Sequence, residues 1–246
     1  MKFDKERVLE RLTTLATHHA SPYSTLIVPI GEHWQPGGKE AVEAMARYAR
    51  DEFKVDARIV PERDRCYQPY DALGSMRNMA YRRAMMMGYE FLMMVDNDIL
   101  PPPHTLVQLL HWQVPIIAPK VVYPPGVPFG TLQTPLLDND KGLVMVGSVV
   151  LSCVLFKTTV FLPWAVHDFW GNALGDDEEY HFTKFYMAGH MPFVDSDTQV
   201  LCQGAPHFPL DKKPALSIAG WSLDEFKKNP VYLWAHNHLA PPIGKW

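Results

Sequence analysis

Three cysteines in 246 residues, with no CxxC pair among them, exclude two kinds of scaffold at once. Cys66, Cys153 and Cys202 are odd in number, far apart and without zinc-ligand spacing. Neither a disulfide framework nor a structural zinc is expected, and a reducing, cytoplasmic setting fits such usage. Long apolar runs are missing too. The longest, LVMVGSVVLSCVLF (143–156), is about fourteen residues and too short to cross a bilayer as a helix. The charged opening MKFDKERVLERL does not read as a secretory signal, so no membrane anchor is expected. Positive charge is not in excess either. A formal net charge of −4 argues against a protein that grips nucleic acid chiefly through a cationic surface. A nucleic-acid acceptor held by a local patch stays open. No internal repeat, low-complexity tract or linker divides the chain, and a single domain over 1–246 is expected, with its core at about 24–208.

What is present describes an ordinary globular protein. With 47% hydrophobic and 20% charged residues, the chain is long enough for one large core. Twelve methionines are many; Met fills irregular gaps, and Met85 to Met87 are expected to pack in the core. Residues 3–17 read as a lead-in helix. STLIVPI (24–30) is a β-rich apolar run, followed by a loop, GEHWQPGG (31–38). KEAVEAMARYARDEF (39–53) places Val42, Met45, Ala46 and Ala49 on one helical face. VDARIV (55–60) reads as a second strand, DALGSMRNMAYRRAMMMG (71–88) as a helix closed by Gly88, and FLMMV (91–95) as a third strand.

Strand, helix, strand, helix, strand is the order of an α/β protein. Apolar strands between helices predict a mostly parallel central sheet with helices on both faces. Ligands of such sheets bind outside the carboxyl ends of the strands. Further on, a helix over 104–112, a strand over 114–122 and one or two buried strands over 143–156 are expected. YPPGVPFGTLQTPLLDNDKG (123–142) is a long proline-rich excursion of the length of a lid. A helix opens at the acidic GDDEEYHF, a last strand region covers 191–202, and the tail 211–246 has no clear period.

The third strand runs straight into Asp96-Asn97-Asp98, and two like charges at the end of a buried strand need something to neutralise them. Residues i and i+2 of an extended chain point the same way. Both carboxylates would then converge on one hard cation, Mg2+ or Mn2+, whose other sites accept water and phosphate oxygens.

The surroundings strengthen this. SMRNMAYRRAMMMGYEFLMMVDND resembles the order found in nucleotide-sugar-dependent glycosyltransferases of the GT-A fold, in particular the family 2-like group. Arg77, Asn78, Ala80 and Ala84 resemble the helix before that family's DxD motif, and Asp96-Asn97-Asp98 resembles the motif. LVMVGSVVLSCVLFKTTVF looks like the stretch lining its acceptor side. GDDEEYHFTKFYMAGH resembles its second acidic motif, and PFVDSDTQVLCQGAPH its last core strand. The resemblance covers roughly residues 24–208.

The resemblance implies a metal-dependent transferase moving a sugar from a nucleotide-diphosphate sugar, UDP- or GDP-linked, to an acceptor hydroxyl. It implies Asp96 and Asp98 as ligands of Mn2+ or Mg2+. His207 would be a third ligand, although it falls a few residues later than the family's histidine, at whose spacing stand Cys202 or Gly204. Asp177, with Asp176 next, would be the base that takes the acceptor proton. Helix capping explains part of that acidic cluster equally well. Pro29, Gly31 and Glu32 end the first strand near the nucleoside, together with Asp71 and Asn97. The forked guanidinium of Arg77 suits the diphosphate. Two other readings stand beside this one: a nucleotidyltransferase that makes sugar nucleotides, and a non-catalytic nucleotide-sugar-binding protein.

Overall fold

Every residue of the first strand, β1 (Thr25–Ile30), is buried, which requires that both faces of its sheet be covered. The computed structural model describes residues 23–31, 33–60, 72–122, 142–146, 149–164, 184–185 and 188–203. Within them β1 leads to helix α1 (Gly38–Phe53), strand β2 (Ala57–Ile59), helix α2 (Ala72–Met86) and strand β3 (Phe91–Asp96). Then come β4 (Ile99–Leu100), α3 (Thr105–Trp112), β5 (Ile116–Val122), β6 (Leu143–Met145), β7 (Cys153–Lys157), a 3-10 helix (Thr158–Trp164) and β8 (Pro192–Cys202). The lead-in helix 3–17, the excursion at 123–141 and the tail 211–246 lie outside the described residues.

One eight-stranded sheet has the order β2-β1-β3-β7-β5-β8-β4, with β6 also paired to β8. Strands β1, β2, β3, β5 and β8 run one way and β4, β6 and β7 the other. This is the mixed α/β architecture with a mostly parallel central sheet that the sequence predicts. The chain steps from β1 to β2 on one side and returns past β1 to β3 on the other. Because crossovers between parallel strands are right-handed, that reversal puts α1 and α2 on opposite faces. Accordingly α1 packs on α3, and α2 packs on the 3-10 helix. The gap between the carboxyl ends of β1 and β3 is the switch point at which such sheets bind ligands.

The helices form for the reasons their sequences give. Val42, Met45, Ala46, Ala49 and Phe53 make the buried stripe of α1. Lys54, at φ 57°, closes it by donating its backbone N–H toward the Ala49 and Arg50 carbonyls. In α2, Tyr81 stacks on Phe161 of the 3-10 helix with ring centroids 4.8 Å apart, a pairing that adds about 1 kcal/mol to simple burial. The expectation that Met85 to Met87 pack together in the core is corrected. Met85 touches the core, but Met86 and Met87 are exposed. Consecutive positions at a helix end cannot all face the sheet.

The run 143–156 splits into two strands with different surroundings. β7 is buried over its first four residues, whereas β6 is half-buried on the sheet's margin against β8. β7 is antiparallel to both β3 and β5, joining the two parallel groups. β4 and the 3-10 helix were not expected from the sequence.

β8 carries an irregularity held by one acidic side chain. Pro119 of β5 pairs with Asp195, but Lys120 pairs with Gln199, so Ser196, Asp197 and Thr198 bulge from the ladder. The buried Asp195 carboxylate accepts from Thr198 Oγ1 (2.7 Å) and the Asp197 backbone N–H (3.1 Å). Burial outweighs these donors and raises its pKa above the ordinary value.

The sign of the pH dependence follows. The folded state holds the Asp195 proton more tightly than the unfolded state, so its ionisation costs stability as pH rises from about 4 through the raised value. In urea titrations between pH 4 and 7, the stability of the unaltered chain minus that of Asp195→Asn should fall with rising pH and then level off. A difference that stays flat would show that this carboxyl does not titrate as described.

Candidate active site at the end of strand β3

β1 and β3 pair in parallel from Thr25↔Phe91 to Ile30↔Asp96, so the first loop and the acidic segment leave the sheet side by side. Backbone hydrogen bonds then bind the two together. The Asn97 N–H donates to the Ile30 carbonyl at 2.8 Å, and the Gln35 N–H donates to the Asn97 carbonyl at 3.0 Å. The Asn97 side-chain amide donates to the His33 carbonyl. Gly31 makes this approach possible. Its φ is +113°, and a Cβ placed on it would lie 2.5 Å from Cγ of Asn97, well inside contact distance. Gly38 is confined in a similar way, its hypothetical Cβ 2.8 Å from the Asn97 carbonyl oxygen.

These bonds also alter the expected geometry of the acidic pair. The chain does not continue extended through Asn97; it turns at Asn97 and Asp98 and enters β4. The Asn97 N–H still bonds Ile30, the last residue of β1, but its C=O and side-chain amide are claimed by Gln35 and His33 of the loop that follows, and the chain leaves the ladder there. Alternation along a strand therefore does not govern where Asp96 and Asp98 point.

Each carboxylate has its own partner. Asp96, half-buried, has Oδ1 3.9 Å from Nη2 of Arg77, whose side chain is only 3% exposed. The Asp96 N–H donates to the Ser152 carbonyl at 2.7 Å. Asp98, 7% exposed, accepts from Sγ of Cys202 at 3.4 Å through Oδ2. The Gln203 N–H donates to the Asp98 carbonyl at 2.8 Å. Cys153 lies opposite Val95 in the ladder. Burial, and then the charge of Asp96, push its thiol well above the ordinary range. It is a neutral packing group, not a nucleophile.

Of the residues singled out from the sequence, Gly31, Arg77, Asp96, Asn97 and Asp98 meet at this one strand end. Pro29 lies just behind them, buried in β1 opposite Val95. Glu32, Asp71, Asp176, Asp177 and His207 lie outside the described residues. Sequence reasoning missed Cys202 and Gly38 as neighbours of the turn. A thiol in β8 carries no local sign that it will meet Asp98, and Gly38 read only as the end of a loop.

The turn carries two carboxylates, Asp96 and Asp98. Among the described residues no group of three or more His, Cys, Asp or Glu is arranged to hold a metal ion. The donor set suits Mg2+ or Mn2+ held by one or two carboxylates with phosphate oxygens completing the shell, not an all-protein cage.

No protein-family model and no curated protein matches the chain. Among solved structures, GalNAc-T7 with UDP, GalNAc and Mn2+ superposes with a TM-score of 0.50 at 8% identity, over 79% of this chain and 45% of that one. The chain thus shares the GT-A fold of that protein while spanning less than half of its length. A197 from STIV aligns over 77% of this chain and 98% of its own, at a TM-score of 0.45 and 12% identity. At 8% identity the likeness to GalNAc-T7 speaks to the fold alone. Among the described residues no helix is long and apolar enough to cross a membrane.

Two outcomes follow. Gly31→Ala must move Asn97 or strain the loop, at a cost of about 1–3 kcal/mol. Its melting temperature should drop by at least about 3 °C, and an unchanged melt would mean that the loop does not lie against Asn97. Arg77→Met leaves Asp96 without its buried guanidinium and should lose about 3 kcal/mol. In a double-mutant cycle with Asp96→Asn most of that loss should disappear; strictly additive effects would show the two groups to be uncoupled.

Proposed function

We propose that this chain is a nucleotide-sugar-dependent glycosyltransferase, similar to the family 2-like group, that moves a sugar from a UDP- or GDP-sugar to an acceptor hydroxyl. The observation that carries the reading is the Asp96-Asn97-Asp98 turn. It lies at the carboxyl end of β3 and at the strand-order switch beside β1. The fold is shared with a protein crystallised with UDP, GalNAc and Mn2+, which supports the donor class. The buried thiols of Cys153 and Cys202 are in keeping with a reducing compartment, the cytoplasm.

In this reading Asp96 and Asp98 hold Mn2+ or Mg2+, which supplies positive charge to the leaving diphosphate. Arg77 steadies Asp96 from behind and presents further N–H donors toward phosphate. Gly31 and Asn97 form the adjoining wall, with Pro29, Glu32 and Asp71 assigned to the nucleoside side and His207 to the cation. The acceptor oxygen bonds to the anomeric carbon as the bond from that carbon to the diphosphate breaks. If configuration inverts, the hydroxyl proton passes to Asp177, with Asp176 beside it, and the nucleoside diphosphate departs.

Chromatography of nucleotide sugars incubated with the protein and Mn2+ tests the assignment. The unaltered chain should release free UDP or GDP. Asp96→Asn and Asp98→Asn should each lower that release by about a hundredfold or more, the several kcal/mol that charge neutralisation contributes. Release that is absent from the unaltered chain, or undiminished in both variants, would refute the assignment.

A further inference from the structure

Cys202 closes β8 opposite Ile99 of β4, and with it that strand grips Asp98 at two points. The Cys202 thiol donates to Asp98 Oδ2 at 3.4 Å, and the next residue, Gln203, donates its N–H to the Asp98 carbonyl at 2.8 Å. The backbone and the carboxylate of Asp98 are therefore both fixed from a strand 104 residues away in sequence. Cys202 is 5% exposed and Asp98 7%, so little water is on hand to replace the thiol. Asp96 shares none of these contacts, being set instead by Ser152 and Arg77.

We infer that Cys202 is a positioning residue for Asp98, holding one carboxylate oxygen so that the other faces the cation and diphosphate; this rests on the functional reading above. The chemistry suits the task. A carboxylate accepts at both oxygens, and a buried one that loses a donor rotates to find another or remains unsatisfied. A thiol is a weak donor; it can restrict the side chain's rotation while withdrawing little of the negative charge a hard cation needs. Partners behind a ligand commonly account for 10–100-fold in metal affinity, and a thiol belongs at the lower end of that range.

The experiment is a Mn2+ titration of the full chain with UDP, and separately with GDP, reading free ion by electron paramagnetic resonance. Cys202→Ala should raise the half-saturating Mn2+ concentration about tenfold. Cys202→Ser keeps a hydroxyl donor on the same Cβ and should stay within about threefold of the unaltered chain. Val200→Ala, a buried apolar position of the same strand, should lower the melting temperature while leaving the Mn2+ half-point in place. An unchanged half-point in Cys202→Ala, or a loss just as large in Val200→Ala, would overturn the role given to Cys202 alone. Failure of the unaltered chain to bind Mn2+ with either nucleotide would overturn the functional reading and this inference with it.

Discussion

The site depends on how closely the backbone after β1 can lie against the turn after β3. Parallel pairing brings Ile30 and Asp96 level, and from there the chain could diverge into two separate loops. It does not, because the Asn97 N–H is taken by Ile30 at the end of β1 and its C=O by Gln35 of the loop that follows. Gly31 has no Cβ where one would strike the Asn97 side chain. A single methyl group at that position would force the two apart. This packing converts two strand ends into one wall and bends Asp98 toward β8.

The bend has an electrostatic consequence. Two aspartates at adjoining positions on one strand face would repel each other across a short gap. Here each is matched to a different neighbour, Asp96 to the buried Arg77 and Asp98 to the Cys202 thiol. Opposite charge does more for Asp96 than a thiol can for Asp98. Deeper in β8, Asp195 shows the same rule applied to structure alone: a buried carboxylate surrounded by donors, shaping a bulge. Asp98 is also buried, and among the described residues its carboxylate takes only the weak thiol donor of Cys202.

Much of this was legible in the sequence. The β1, α1, α2 and β3 segments declare themselves because an apolar strand and a one-sided helix each have a period, and FLMMV running into Asp-Asn-Asp marks a strand end. Gly31 stood out as the end of the first strand. What the sequence could not tell is non-local. β4 is two residues long and is a strand only because Leu201 and Cys202 lie beside it. The turn at Asn97 is imposed by carbonyl and amide groups of the preceding loop, not by any turn-forming residue type. The antiparallel placement of β7 between β3 and β5 depends on pairings no window of sequence contains. Met86 and Met87 misled for a simpler reason. Hydrophobicity without a phase does not say which way a residue at a helix end points.

The central claim is that the turn Asp96-Asn97-Asp98 forms a divalent-cation and diphosphate site beside β1. The most direct measurement is anomalous diffraction at the manganese edge from crystals soaked with Mn2+ and UDP or GDP. The account predicts one strong peak within coordination distance of both the Asp96 and Asp98 carboxylates, with diphosphate oxygens on its open side. Nucleotide bound elsewhere, or a peak distant from both carboxylates, would contradict it.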